Sequence, residues 1–253
     1  MISVLQEKYQ QLLHEHGRKW HERPVCSVPV RANSSDRIAA RLDLTLLKPD
    51  ATAAAYESLA SEARDLGCCS ICVPPNRVAV MRAALKDSGV KICTVIGFPL
   101  GFHIAKAKAF EAERALADGA DEFDMVISIS AAKEAAAGNQ QQVINMYDDV
   151  AAVVQAVQGR MVKVIIETAL LDIEEKKVAA LVAAAAGAGM IKTSTGFSHS
   201  GAQVEDIVLL RRVLGDAWGI KASGGIRSKE DAMAMIAAGA DRIGASAGRA
   251  LIA

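Results

Sequence analysis

The chain has 253 residues, enough for one large domain with a sizeable core. Basic and acidic residues each total 29, so the formal net charge is +0, which argues against a nucleic-acid surface or a strongly acidic partner. Alanine is the largest single part of the hydrophobic share of 51%, and the opening stretch MISVLQEKYQQLLHEHGRKWHERP carries charges throughout, which argues against a signal peptide or membrane span there and leads us to expect a cytoplasmic protein.

Residues 1–35 stand apart from the rest of the chain. SVLQEKYQQLLHEH reads as an amphipathic helix and RPVCSVPVRANSS as a proline-punctuated connector. A helix without its own core must pack on the neighbouring domain or on a second copy, so we expect a homo-oligomer, dimer or higher, and no catalytic part for His14, His16 or His21.

From Ile38 onward one theme repeats: a short apolar run, a polar or glycine end, then a stretch of helical period. The strand candidates are AARLDLTL (39–46), CSICV (69–73), KICTVIG (91–97) and DEFDMVI (121–127), then VKVIIET (162–168), MIKTST (190–195), IKASG (220–224) and RIGAS (242–246). Segments such as ATAAAYESLASEARDLG and AKAKAFEAERALADGA lie between them and have helical spacing. Strands that alternate with helices require a parallel sheet. Eight units, with LKPDAT where an open nucleotide-binding sheet would carry its glycine turn, predict a closed (β/α)8 TIM barrel over residues 36–253 as one domain. Cys26, Cys68, Cys69, Cys72 and Cys93 are odd in number, and Cys69-x-x-Cys72 lies inside a strand, so we read packed, reduced thiols.

In a barrel the chemistry sits where the strands end. That rule selects Asp43, Cys72, Asp124, Glu167, Lys192, Lys221, Gly224, Gly225 and Gly244. Lys192 and Lys221 hold equivalent places on neighbouring strands, so their ammonium groups should approach, and two like charges out of water lower a lysine's pKa and yield a nucleophilic amine. The competing reading has carboxylates such as Glu122, Asp124 or Glu167 neutralise both lysines. Alternation puts Glu122 with Asp124, and Lys163 with Ile165 and Glu167; if these faces point inward, Lys163 becomes a structural ion-pair partner.

SGGIRS after the seventh strand and IGASAG after the eighth offer unobstructed backbone N–H groups where barrels bind phosphate. Arg227 would add charge there and Ser246 a hydroxyl. No metal or other cofactor is expected, since only His103 and His199 occur in the barrel and neither has a partner at ligand spacing.

In order along the chain, LDLTLLKPDAT, SICVPP, VIGFPLG, GADEFDMVISI, VKVIIETALL, MIKTSTGF, IKASGGIR and RIGASAG closely resemble deoxyribose-phosphate aldolases, a class I, Schiff-base family. The resemblance runs from about Ile38 to the C-terminus. It implies that Lys192 forms the imine, that Lys221 holds down its pKa and moves protons, and that Asp124 assists the relay. It implies further that Asp43 orients substrate hydroxyls, with a structural bond as the other reading, and that Thr193 and Gly196 join Gly224, Gly225, Arg227, Gly244 and Ser246 in binding substrate. The implied partners are small-molecule sugar phosphates and aldehydes. Ala247 stands where a serine is common in the family, Ser128 where asparagine is, and Gly189 where aspartate is. A non-catalytic sugar-phosphate-binding barrel with ion-paired lysines, a barrel holding pyridoxal phosphate, and a barrel using carboxylate acid-base catalysis are the alternatives.

Overall fold

A computed structural model of the chain describes residues 38–252. The expected helix and connector of residues 1–35, the three histidines there and Cys26 lie outside the described residues.

Eight strands close into one barrel in sequence order, every neighbouring pair parallel, with the first and last joined. They are β1 (Leu42–Thr45), β2 (Ser70–Val73), β3 (Lys91–Ile96) and β4 (Glu122–Val126), then β5 (Met161–Ile165), β6 (Met190–Lys192), β7 (Gly219–Ser223) and β8 (Arg242–Ala245). Around them run α1 (Ala53–Leu66), α2 (Val78–Ala84), α3 (Ala105–Ala117), α4 (Ile129–Ala136), α5 (Gln140–Ala156), α6 (Ile173–Ala185), α7 (Val204–Leu214), α8 (Lys229–Ala237) and α9 (Gly248–Ile252). The expected barrel is therefore present.

All eight strand candidates form strands, seven of them shorter than the candidate run and β7 equal to it in length but shifted by one residue. The ends Thr193–Thr195 and Ile166–Thr168 lie past the strands, where their amides and side chains bond to the ends of neighbouring strands and to each other. The first candidate begins with a helical turn before β1.

Outward strand residues such as Leu42, Leu44, Ile71, Ile92, Phe123, Val164, Ile191 and Ile220 form one core with the buried faces of the helices. Alanine makes this possible, since Ala179, Ala180, Ala183 and Ala184 let α6 lie close against the sheet. Two helices begin in capping boxes, Asp172 with Glu175 on α6 and Ser228 with Asp231 on α8. The strict glycine is Gly101, at φ +72° with a hypothetical Cβ 2.0 Å from the Ile127 carbonyl oxygen. That contact seats the β3–α3 loop on the end of β4. No helix among the described residues is long and apolar enough to cross a membrane.

Candidate active site

Inward positions of the strands carry charge in place of a hydrocarbon core. Glu122 and Asp124 both point inward on β4, as alternation predicts, and Lys163 faces them from β5. Its Nζ lies 2.7 Å from Glu122 Oε2, 2.9 Å from Asp124 Oδ1, 3.3 Å from Cys93 Sγ and 3.5 Å from Asp43 Oδ2. Arg242 closes the lower layer, 2.5 Å from Glu122 and 3.3 Å from Asp43. Lys163 is thus the ion-pair partner that its place on the strand suggested.

One layer higher, Lys192 and Lys221 stand side by side, in register on β6 and β7. Both donate to the same oxygen, Asp124 Oδ2, at 2.8 and 2.7 Å, and Lys221 donates also to Asp43 Oδ2 at 2.5 Å. Cys93 Sγ and Lys163 meet the other oxygen of Asp124. The lysines approach as expected, but the electrostatics of Lys221 differ from the expected mutual repulsion. Burial acts to depress its pKa, and the carboxylates of Asp124 and Asp43 outweigh burial, so its ammonium is held above the usual lysine range. In place of a bare like-charge pair, the fold supplies a carboxylate set between the two.

The carboxylates answer in kind. Burial alone would raise them, yet Lys163, Lys192 and Lys221 bring Asp124 well below the usual range, Arg242, Lys221 and Lys163 do the same for Asp43, and Lys163 with Arg242 brings Glu122 down to about 2. Folded-state values below the unfolded ones contribute stability that is fully present above the unfolded carboxylate pKa of about 4 and is lost as pH falls through the folded values. We expect acid unfolding to begin below pH about 4 and to steepen toward pH 2, as a circular-dichroism titration would record.

Four buried cations, Lys163, Lys192, Lys221 and Arg242, face three buried carboxylates, Asp43, Glu122 and Asp124. One positive charge is in excess, and burial penalises it. Lys192 has the fewest carboxylate contacts of the four and is the one that reaches the cavity. Its backbone is locked on both sides, by Ile166 N to the Lys192 carbonyl at 3.1 Å and by Thr193 N to the Lys221 carbonyl at 3.0 Å.

That cavity, about 290 Å³, opens at the carboxyl ends of β1, β6, β7 and β8. Of the expected substrate-binding residues, Gly196, Gly224, Gly225, Arg227, Gly244 and Ser246 line it together with Lys192. Gly224 and Gly225 have φ of +86° and +77°, and no acceptor among the described residues meets the amides of Gly225 and Ile226. A Cβ on Gly244 would lie 3.0 Å from Lys221 Cε, so this glycine makes room for the lysine.

Three of the named residues lie outside the cavity. Thr193 is wholly buried, and its hydroxyl bonds the backbone of Ser223, so it braces β7 and does not line the cavity. Asp43 lies beneath the cavity, held by Lys221, Arg242 and Ser70, which favours the structural reading of that residue. Glu167 turns away at φ 53° and accepts from the amide and hydroxyl of Thr195; it ties two loops together and is not one of the carboxylates that meet the lysines. Cys72 packs against Cys93 behind Leu47; a hydrogen bond with Cys93 holds its thiol below the ordinary value, and burial pushes Cys93 well above it. Cys68, Cys69, Cys72 and Cys93 are all free thiols, as expected.

The strand-end reading missed several lining residues: Thr45, Leu47, Lys48, Thr195, Phe197 and Ser223. Lys48 lies just past β1, so the rule that selected the others reaches it too. Phe197 packs edge-on against Phe98, with centroids 5.3 Å apart, and no polar pattern marks it. Ser128 and Gly189 have local roles: Ser128 caps α4, and the Gly189 amide bonds the Val162 carbonyl.

The model of the family described as DeoC/LacD family aldolase matches residues 37–253. Deoxyribose-phosphate aldolase 1 of Bacillus licheniformis is 51% identical over 217 residues, covering 85% of this chain and 95% of that protein. A deoxyribose-phosphate aldolase of Halalkalibacterium halodurans is 50% identical over 220 residues, covering 86% and 96%. Among solved structures, a putative deoxyribose-phosphate aldolase from Coccidioides immitis superposes with TM-score 0.83 at 33% identity, over 97% of this chain and 96% of that one. The deoxyribose phosphate aldolase of Aeropyrum pernix, described as a unique tetrameric structure, gives 0.80 at 32%, over 98% and 96%. With sequence, fold and the charged barrel interior in agreement, this chain belongs to the DeoC/LacD family of aldolases.

Proposed function

We propose that the protein is a class I aldolase that reversibly cleaves 2-deoxy-D-ribose 5-phosphate to acetaldehyde and D-glyceraldehyde 3-phosphate through an imine on Lys192. The observation that carries this reading is a lysine lining a cavity of about 290 Å³ and sharing one carboxylate oxygen with a second lysine.

In the cleavage direction the Lys192 amine attacks the aldehyde carbon of the open-chain sugar, and the carbinolamine loses water to give the protonated imine. Loss of the C3 hydroxyl proton then breaks the C2–C3 bond and releases glyceraldehyde 3-phosphate. The bond electrons pass to the iminium as an enamine, which is protonated at C2 and hydrolysed to acetaldehyde. Asp124 Oδ2 touches both nitrogens, so that carboxylate can take a proton leaving Lys192 or the carbinolamine and give it to the departing hydroxyl, while the Lys221 ammonium stays beside it as a donor. Each of the four cations meets a carboxylate, so trapping of an imine on Lys192 is what separates this reading from a binding barrel of paired lysines. The lysine supplies the electron sink itself, so the reading calls for no cofactor.

Gly224, Gly225, Gly244 and Ser246 hold the phosphate end by backbone amides and a hydroxyl, and Arg227 adds charge. Ala247 offers no hydroxyl, and the amides carry the phosphate instead. The protein works in the cytoplasm, where its thiols stay reduced. It assembles as a homo-oligomer, supported by the tetrameric Aeropyrum pernix relative and by exposed Phe102, Ile104 and Phe110; its mass in solution tests this.

The experiment is cleavage of deoxyribose 5-phosphate, with acetaldehyde measured directly, then borohydride trapping and peptide mass spectrometry. An adduct on Lys192 is expected. Full turnover with no trapped lysine would sink the mechanism, and no turnover would sink the reaction.

A further inference from the structure

The charges around the cavity are of one sign. Lys48, Lys192 and Arg227 line it, and no carboxylate does. Lys192 is committed to Asp124 at 2.8 Å, which leaves two cations for whatever enters. Lys48 is exposed, with no ion pair or side-chain hydrogen bond among the described residues.

Its backbone, in contrast, is fixed. The Leu46 amide bonds the Cys72 carbonyl at 2.9 Å, the Ala51 amide bonds the Lys48 carbonyl at 3.2 Å, and Pro49 restricts the residue before it to extended geometry. Barrel closure pairs β1 with β8, Asp43 opposite Gly244, so the loop bearing Lys48 stands beside the loop bearing Ser246. An exposed ammonium on a braced loop at the rim of a cavity walled by unpaired amides suits a phosphate, which carries close to two negative charges at neutral pH.

We propose that Lys48 is a specificity-determining residue that selects the phosphorylated sugar, pairing with Arg227 to match the dianion. This deepens the aldolase reading and rests on it for the identity of the substrate. Lys48 adds a charge where Ala247 leaves a hydroxyl out, and its reach from β1 sets the distance from phosphate to Lys192, hence the length of sugar accepted.

The test uses the full chain and two probes. Isothermal titration with inorganic phosphate is compared for wild type, Lys48→Met and Lys48→Arg, and kcat/KM is compared for deoxyribose 5-phosphate and unphosphorylated 2-deoxyribose. Lys48→Met should weaken phosphate binding about 10-fold, the size of one charge-assisted hydrogen bond partly in water, and should lower the preference for the phosphorylated sugar by a similar factor, mainly through KM. Lys48→Arg should restore most of both. A phosphate Kd and a substrate preference that both stay within about twofold of wild type would overturn the proposal. If wild type does not cleave deoxyribose 5-phosphate, the aldolase reading fails, and the phosphate Kd alone still decides whether Lys48 holds the anion.

Discussion

Lys192→Met is expected to reduce cleavage of deoxyribose 5-phosphate by about 10⁴- to 10⁶-fold, the range found when a covalent nucleophile is deleted. The fold should survive, because the substitution removes the one buried cation in excess and leaves three cations facing three carboxylates. A melting temperature near that of wild type, measured beside the rate, separates lost chemistry from lost structure. Lys192→Arg sharpens the comparison. The guanidinium keeps the charge and a bond to Asp124, but it stays protonated and forms no imine, so it should be as inactive as the methionine variant. Substantial activity in the arginine variant would mean that Lys192 contributes charge alone and that the imine forms elsewhere or not at all. Borohydride adds a second readout, since neither variant should retain a trapped two-carbon adduct.

Much of this molecule was legible in its sequence because a barrel writes one instruction many times. Each strand is a short apolar run ended by a polar residue, and eight repeats leave few other closures for the chain. Strand alternation carried the site further: it put Glu122, Asp124 and Lys163 on one inward face, where they meet. It failed at Glu167, because alternation holds only while the backbone stays extended, and a left-handed residue just past β5 turned that side chain toward Thr195. Thr193 came from the resemblance, and alternation sets it on the face opposite Lys192, where its hydroxyl meets a buried backbone partner on β7. The sequence also paired Lys192 with Lys221 correctly while misjudging what lies between them. Two lysines on adjacent strands suggest repulsion, whereas Asp124, 97 residues before Lys221, sits between their ammonium groups and reverses the effect on Lys221. Phe197 belongs to the cavity by virtue of loop shape, and loop shape is the part of a barrel least constrained by periodicity.

Lys163→Met carries the largest expected cost in stability. Lys163 has no contact with the cavity, yet it touches all three buried carboxylates and the Cys93 thiol. Removing it leaves one oxygen of Asp124 facing Cys93 without its ammonium, in a layer that water does not reach. Breaking a buried pair in this way costs about 3–5 kcal/mol, a large fraction of the roughly 5–15 kcal/mol that holds a domain together. Denaturant unfolding should therefore show a midpoint displaced far downward at unchanged slope. The effect on catalysis has its own sign. Lys163 places a positive charge on the other oxygen of the carboxylate that Lys192 meets, and its removal lessens the repulsion between cations there. The surviving enzyme should turn over more slowly at neutral pH, and the acid limb of its pH–rate profile should move to higher pH. Should Lys163→Met not fold, Glu122→Gln supplies the opposite test, since it raises the excess of positive charge and should move that limb to lower pH. Limbs that stay in place in both variants would show that the charge count of the barrel interior does not control the amine.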